Sequence, residues 1–114
     1  MKSKNISAWS YKTSTQSLLA TSVSHCDVSS NEISSNEVSS NEIVVENEIA
    51  GINPVDWKFI QSNPLNWQDG HTPGVDGVGS VLKVGKDVSE SLLGQRVAFH
   101  QSLKKQGSFA RFTV

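Results

Sequence analysis

Seven of the eight glycines lie beyond residue 64, and with prolines at 64 and 73 they cut the second half of the chain into pieces that suit strands better than helices. What stands between them is "VGSVLKVG", "QRVAFH" and "SFARFTV", each rich in β-branched or aromatic residues. Short runs of that type bounded by glycine read as strands. The stretch ahead of them, "NPLNWQDGHTPG", reads as turns. The second half is therefore expected to be β.

The first half supplies two further strands, then one more strand and a helix. Residues 5–23, "NISAWSYKTSTQSLLATSV", hold two β-leaning stretches, 6–11 and 16–23, around "KTST", which suits a hairpin. Further on, "EIVVENEIAGIN" places Ile43, Val45, Asn47 and Ile49 on one side and Val44, Glu46, Glu48 and Ala50 on the other, so a strand with one mainly apolar face is expected. Pro54 then fixes φ near the helical value at a first helical position, with Asn53 before it as cap. The following "VDWKFIQS" makes one short helix that ends near Asn63 and Pro64.

Between hairpin and third strand the chain repeats itself: "SSNEI" at 29–33, "SSNEV" at 34–38, "SSNEI" again at 39–43. A five-residue period fits neither strand alternation nor the helical 3.6, so Ile33, Val38 and Ile43 drift around either element. Square β-solenoids do use such a period, but three copies do not complete one coil, and stacked coils are what give those folds a core. The Ser/Asn/Glu-rich composition points instead to a solvated loop, disordered or an exposed arm, with only its last copy running into a strand. At 114 residues and 36% apolar content, the expectation is one domain with a modest core. It divides into an N-terminal hairpin at 1–28, the repeat loop at 29–41 and the remainder at 42–114.

A net charge of -1 from ten basic and eleven acidic residues gives no field to draw a polyanion, so nucleic acid is not expected as a partner. The single cysteine, Cys26, cannot form an internal disulfide. The N-terminus has no apolar run of signal-peptide length, and no segment reaches membrane-spanning length. These features read as a soluble, cytoplasmic chain with no membrane partner.

Gly74, Gly77, Gly79 and Gly85 do not make a dinucleotide fingerprint, because their order is G-x-x-G-x-G and a strand follows where a helix is needed. Glycines at a strand entrance permit a bulge or close backbone approach, with Asp76 among them held at a sheet edge. His25, Cys26, His71 and His100 lack metal-ligand spacing. No Gly-x-Ser-x-Gly elbow is present, and Cys26 has no evident activating neighbours, which sets hydrolase chemistry aside. Asn53, Asp56, Trp57 and Lys58 carry two readings. In the structural one, Asn53 caps the helix, Asp56 favours its positive end, Trp57 packs inward and Lys58 is solvated. In the functional one, the strand end delivers Asn53 and Lys58 to a cleft, where an amide and an ammonium orient a carbonyl substrate or a cofactor ribose.

The order of the motifs is more telling than any single one. "EIVVENEIAGINPVDWK", "TPGVDGVGSVLKVGKDV", "LGQRVAFH" and "GSFARFTV" together resemble the N-terminal, GroES-like domain of the medium-chain dehydrogenase/reductase superfamily, over residues 41–114 and more loosely over the first two strands. Within it, the chain is most similar to the zinc-independent quinone oxidoreductase and enone reductase branch. The fold so implied is mainly β, a GroES-like, partly open β-barrel with one or two short helices.

The resemblance also implies a site. Zinc-dependent alcohol dehydrogenases of the superfamily place a cysteine ligand where this chain has Asn53, and Gly-His-Glu where it has Gly74, Val75 and Asp76. An amide and a valine supply neither thiolate nor imidazole, so no metal is expected. In the zinc-independent relatives, the match to "NPVDWK" implies that Asn53, Asp56 and Lys58 lie near the nicotinamide end of NADPH and the substrate, with Asp76 nearby. Catalytic roles would fall to Lys58 and Asn53, and cofactor contacts to Asn53, Asp56, Lys58 and Asp76. The substrate would be a small quinone or enone, with hydrogen-bond donors and water polarising its carbonyl. Such enzymes continue into a Rossmann domain that binds the dinucleotide phosphates. This chain stops at Val114, so by the resemblance it lacks that domain, would not bind NADPH tightly and would be inactive alone. The relatives need only one SSNE copy before the strand. The other reading is a stand-alone β-domain, an interaction or oligomerisation module that pairs as a homodimer through exposed strand edges.

Overall fold

The computed structural model describes residues 4–25 and 38–114, with side chains placed over 8–21 and 38–114. The first copy of the SSNE repeat and nearly all of the second, Cys26 and the His25 side chain lie outside the described residues, and with them the expectation that the repeat is a disordered loop.

Strand β1 (Lys4–Lys12) and strand β2 (Ser17–His25) form the hairpin foreseen around "KTST", paired from Lys4↔His25 to Lys12↔Ser17. Gln16, at φ 48°, makes the left-handed step that closes the connection. The hairpin tip is tied down at a distance: Asp69 Oδ1 accepts from the Thr13 N–H at 2.7 Å and from its hydroxyl at 2.8 Å.

The second sheet holds four antiparallel strands in the order β5-β4-β3-β6. These are β3 (Ile43–Gly51), β4 (Asp76–Val84), β5 (Arg96–His100) and the two-residue β6 (Phe112–Thr113). The run "SFARFTV" thus pairs only in part, at Phe112–Thr113 and in a lone bridge of Ala110 with Ala8. Loops join the two sheets: Trp9 N–H donates to the Phe109 carbonyl at 2.8 Å and Tyr11 N–H to the His71 carbonyl at 2.7 Å. The sheets therefore stay open and do not close into a barrel. Among the described residues there is one α-helix, α1 (Pro54–Ser62), and one short 3-10 turn (Glu90–Leu92).

Strand β3 departs from simple alternation. Val44 and Val45 are both buried, at 0% and 3% exposure, while Ile49 is 58% exposed. The register slips twice, between Val44 and Val45 and between Asn47 and Ile49. Each slip rotates the strand and moves the following side chains to the other face. Asn47, expected on the apolar side, instead uses its amide nitrogen to hold the Ala110 carbonyl at 2.8 Å and the Thr113 hydroxyl at 2.7 Å.

The apolar interior is small and valine-rich. Val38 and Val44 pack with Leu82, Phe112 and Val114, and a fully buried valine contributes roughly 1.5–3 kcal/mol. An aromatic cluster forms elsewhere: Trp67 meets the Tyr11 ring edge-on at 5.6 Å, tilts against Phe59 at 6.1 Å and stacks on His71 at 4.5 Å. Burial lowers the His71 imidazole below its ordinary range. Asn63 links this cluster to α1. At φ 44° it ends the helix by donating its N–H to the Phe59 carbonyl at 2.8 Å, and its side-chain oxygen accepts from Trp67 N–H at 2.6 Å. The helix itself buries a carboxyl, Asp56, and leaves Trp57 51% exposed. The inward packing foreseen for Trp57 does not occur.

Candidate functional site

The end of β3 runs through Gly51 and Ile52 to Asn53, whose extended backbone (φ -125°, ψ 158°) sets up the cap of α1 with Pro54 as its first residue. Asp56 reaches back from the first turn, and its Oδ2 accepts from Asn53 N–H at 2.8 Å. This carboxyl is only 1% exposed, and its Oδ1 has no hydrogen-bond partner. Burial therefore pushes it above the usual carboxylate range, and the charge of Asp76 pushes the same way. The backbone N–H groups of Asn53 and Val75 pull it partly back. The backbones of residues 53 and 75 thus both act on one carboxyl.

Asp76 opens β4 and pairs with Gly51 on one side and His100 on the other. Its Oδ2 accepts from the Asn53 amide nitrogen at 2.7 Å, and its Oδ1 lies 2.8 Å from His100 Nδ1. His100, then Asn53, hold this carboxyl below the usual range. A Cβ at Gly51 would come within 3.1 Å of Asp76 Cβ, so glycine there lets the aspartate sit against the strand end. The loop that delivers Asp76 is fixed too. Gly107, Ser108 and Phe109 N–H groups donate to the carbonyls of Thr72, Gly74 and Pro73, and Gly74, at φ +110°, takes a turn that side chains rarely adopt. The close approach foreseen for the glycine run is present at Gly77, where a Cβ would meet the Phe99 ring.

Of the residues singled out in the sequence, Asn53 and Asp76 are joined directly and Asp56 lies beneath them. Lys58 is exposed, its ammonium 5.8 Å from the centre of the Trp57 ring. His100 has no partner marked by spacing in the sequence. Only the pairing of β4 with β5, which sets the last residue of "QRVAFH" opposite the first of "DGVGS", brings it in. Among the described residues no three His, Cys, Asp or Glu side chains gather as metal ligands, and no helix is long and apolar enough to cross a membrane.

An apolar groove of about 690 Å³ runs between the hairpin and β3, walled by Trp9, Leu18, Ile49, Ile52 and Phe109. Trp9 is 51% and Ile52 84% exposed. Ile52, in the groove wall, immediately precedes Asn53 in the chain.

Residues 39–112 match the alcohol dehydrogenase GroES-like domain family. Over 75 residues, 63% of this chain, the sequence is 40% identical to a trans-enoyl reductase from Gibberella fujikuroi, of which that stretch covers 21%. The fold is similar to that of a candidate zinc-dependent alcohol dehydrogenase from Rhizobium etli CFN 42, with a TM-score of 0.74 and 25% identity over 96% of this chain and 30% of that one. It is also similar to a candidate NADPH:quinone reductase from Bacillus thuringiensis, with a TM-score of 0.67 and 23% identity over the same shares, 96% and 30%. The chain thus spans between a fifth and a third of the length of these proteins.

Proposed function

The chain belongs to the alcohol dehydrogenase GroES-like domain family of the medium-chain dehydrogenase/reductase superfamily, and from that premise we propose that it is the substrate-facing part of a zinc-independent, NADPH-linked reductase of quinones or activated alkenes. The observation that carries the reading is the hydrogen-bonded run Asn53–Asp76–His100, which follows in the chain on Ile52, a residue of the groove wall. The names of the fungal trans-enoyl reductase and the bacterial quinone reductase support the substrate class.

The donor set argues against zinc in this pocket. Asn53 offers an amide already bonded to Asp76, and Val75 offers no ligand atom, whereas a catalytic zinc takes thiolate, imidazole and carboxylate. NADPH, when bound, supplies the hydride. The residues present suit its reacting end and not its phosphates. The glycine run at 74–79 leads into β4, not a helix N-terminus, and Arg96, Lys105 and Arg111 are engaged by Glu48, Glu42 and Glu46. This chain alone is therefore expected to hold NADPH weakly and to turn nothing over.

Within that reaction, Asp76 fixes one N–H of the Asn53 amide, which leaves the second to orient a carbonyl oxygen or the nicotinamide ribose. Lys58 adds a cation on the outer face of α1, and Asp56 holds the Asn53 backbone in place. The groove takes the apolar remainder of the substrate. The reading carries a cytoplasmic setting, where NADPH and a reduced Cys26 belong.

Joining this chain to the nucleotide-binding part of the Bacillus thuringiensis protein tests it. The chimera is expected to reduce a quinone or an enone with NADPH, and Asn53→Ala or Lys58→Ala to weaken it. A chimera that folds, binds NADPH and reduces nothing overturns the assignment. A second reading, an interaction module that self-associates, draws on the exposed Trp9, Ile49 and Ile52. Sedimentation of the chain alone distinguishes it: a concentration-independent dimer favours the module.

A further inference from the structure

The reduction of an activated alkene needs a proton as well as a hydride, and the run Asn53–Asp76–His100 ends on a residue suited to give one. His100 is the last residue of β5, and its backbone is paired with Asp76 in the sheet, so the ring is positioned by strand register and not by a loop. Asp76 Oδ1 lies 2.8 Å from its Nδ1. A carboxylate there accepts from Nδ1–H, which leaves Nε2 as the nitrogen that can pass a proton to a substrate. The side chain is 76% exposed, so Nε2 can exchange with solvent. The charged groups around it are Asp76 on β4, bonded directly, and Asp56 on α1, one residue contact further in.

We propose that His100 is the general acid of this site. The inference rests on the reductase reading above. Hydride addition to the β-carbon of an α,β-unsaturated carbonyl sends the alkene π pair to the α-carbon and carbonyl as an enolate. The Nε2–H bond of His100 then breaks and its electron pair stays on nitrogen. The proton forms the new bond at the α-carbon. Neutral imidazole remains, its Nδ1–H still on Asp76, and water reprotonates Nε2. With a quinone the same proton goes to the oxyanion. Asp76 acts as the positioning residue, holding both the acid and the Asn53 amide.

His100→Asn is the informative variant, because its amide nitrogen sits close to the place of Nδ1 and keeps the bond to Asp76 while removing the acid. In the chimera, kcat for an enone is expected to fall roughly 100-fold, with NADPH binding by fluorescence unchanged. In deuterium oxide the parent should label one face of the α-carbon, and the variant both. In the 114-residue chain by itself, imidazole nitrogen shifts should show a proton on Nδ1 held by Asp76, a pattern lost in Asp76→Asn. A parent chimera that reduces no alkene removes the reductase reading and this proposal with it. A parent that reduces the alkene beside a variant with unchanged kcat and labelling overturns the acid assignment alone.

Discussion

Replacing Asp56 by Asn and by Ala separates the two things its carboxyl does. Its Oδ2 accepts from Asn53 N–H at 2.8 Å, and the group is only 1% exposed with Oδ1 unpartnered. Asp56→Ala removes the acceptor and is expected to cost about 1–2 kcal/mol, the range for a lost helix cap, which lowers Tm by roughly 4–8 °C per kcal/mol. Asp56→Asn keeps an oxygen acceptor of the same size and removes only the ionisation. Because burial raises the folded carboxyl above its ordinary value, the folded state holds the proton more tightly than the unfolded one. That contribution is present below the ordinary carboxylate range and is lost as pH rises through the raised value. Parent and Asp56→Asn should therefore melt together near pH 3, and the variant should become the more stable as pH climbs to 7. Asp56→Ala should show its largest deficit near pH 3. Thermal melts by circular dichroism between pH 3 and 7 read all three. A constant gap between parent and Asp56→Asn, or an Asn variant as weak as the Ala variant, would refute the reasoning.

Other changes probe the frame around the site. Glu42 is held down to about 2 by Lys105 at 2.7 Å and by Ser39, and Asp69 and Asp76 are lowered as well. Their support is present above the ordinary carboxylate values and fades as pH falls toward 2, so Lys105→Met should move the acid-unfolding midpoint to higher pH. Gly79→Ala would drive a Cβ into the Glu46 carbonyl of β3, and urea unfolding should show a loss of at least about 1–3 kcal/mol. Ile52→Ser, at a position 84% exposed, should change stability by less than about 0.5 kcal/mol. It should also reduce binding of a hydrophobic dye to the groove, and unchanged dye binding would separate the groove from this residue.

Local signals located the elements well where they were strong. Pro54 and Asn53 marked the start of α1 and Asn63 its end, and "KTST" marked the hairpin. The motif order carried the fold, and it also brought Asn53 and Asp76 together from 23 residues apart. What stayed hidden were effects of pairing. The bulges of β3 put adjacent valines in the interior and turned Ile49 outward, because hydrogen-bond register and not side-chain alternation sets the face there. Trp57 stays half-exposed because the first turn of α1 faces its carboxyl inward. His100 joins the site only through the β4–β5 register, and no spacing within the sequence marks that contact.

The account stands on a reducing pocket whose donors are side chains and not a metal ion. Its sharpest test is the NADPH-dependent reduction of an enone by the chimera after exhaustive chelation, with zinc counted by atomic absorption. The account predicts a rate unchanged by the chelator at a zinc content near zero. Activity that vanishes on chelation and returns on adding zinc would contradict it.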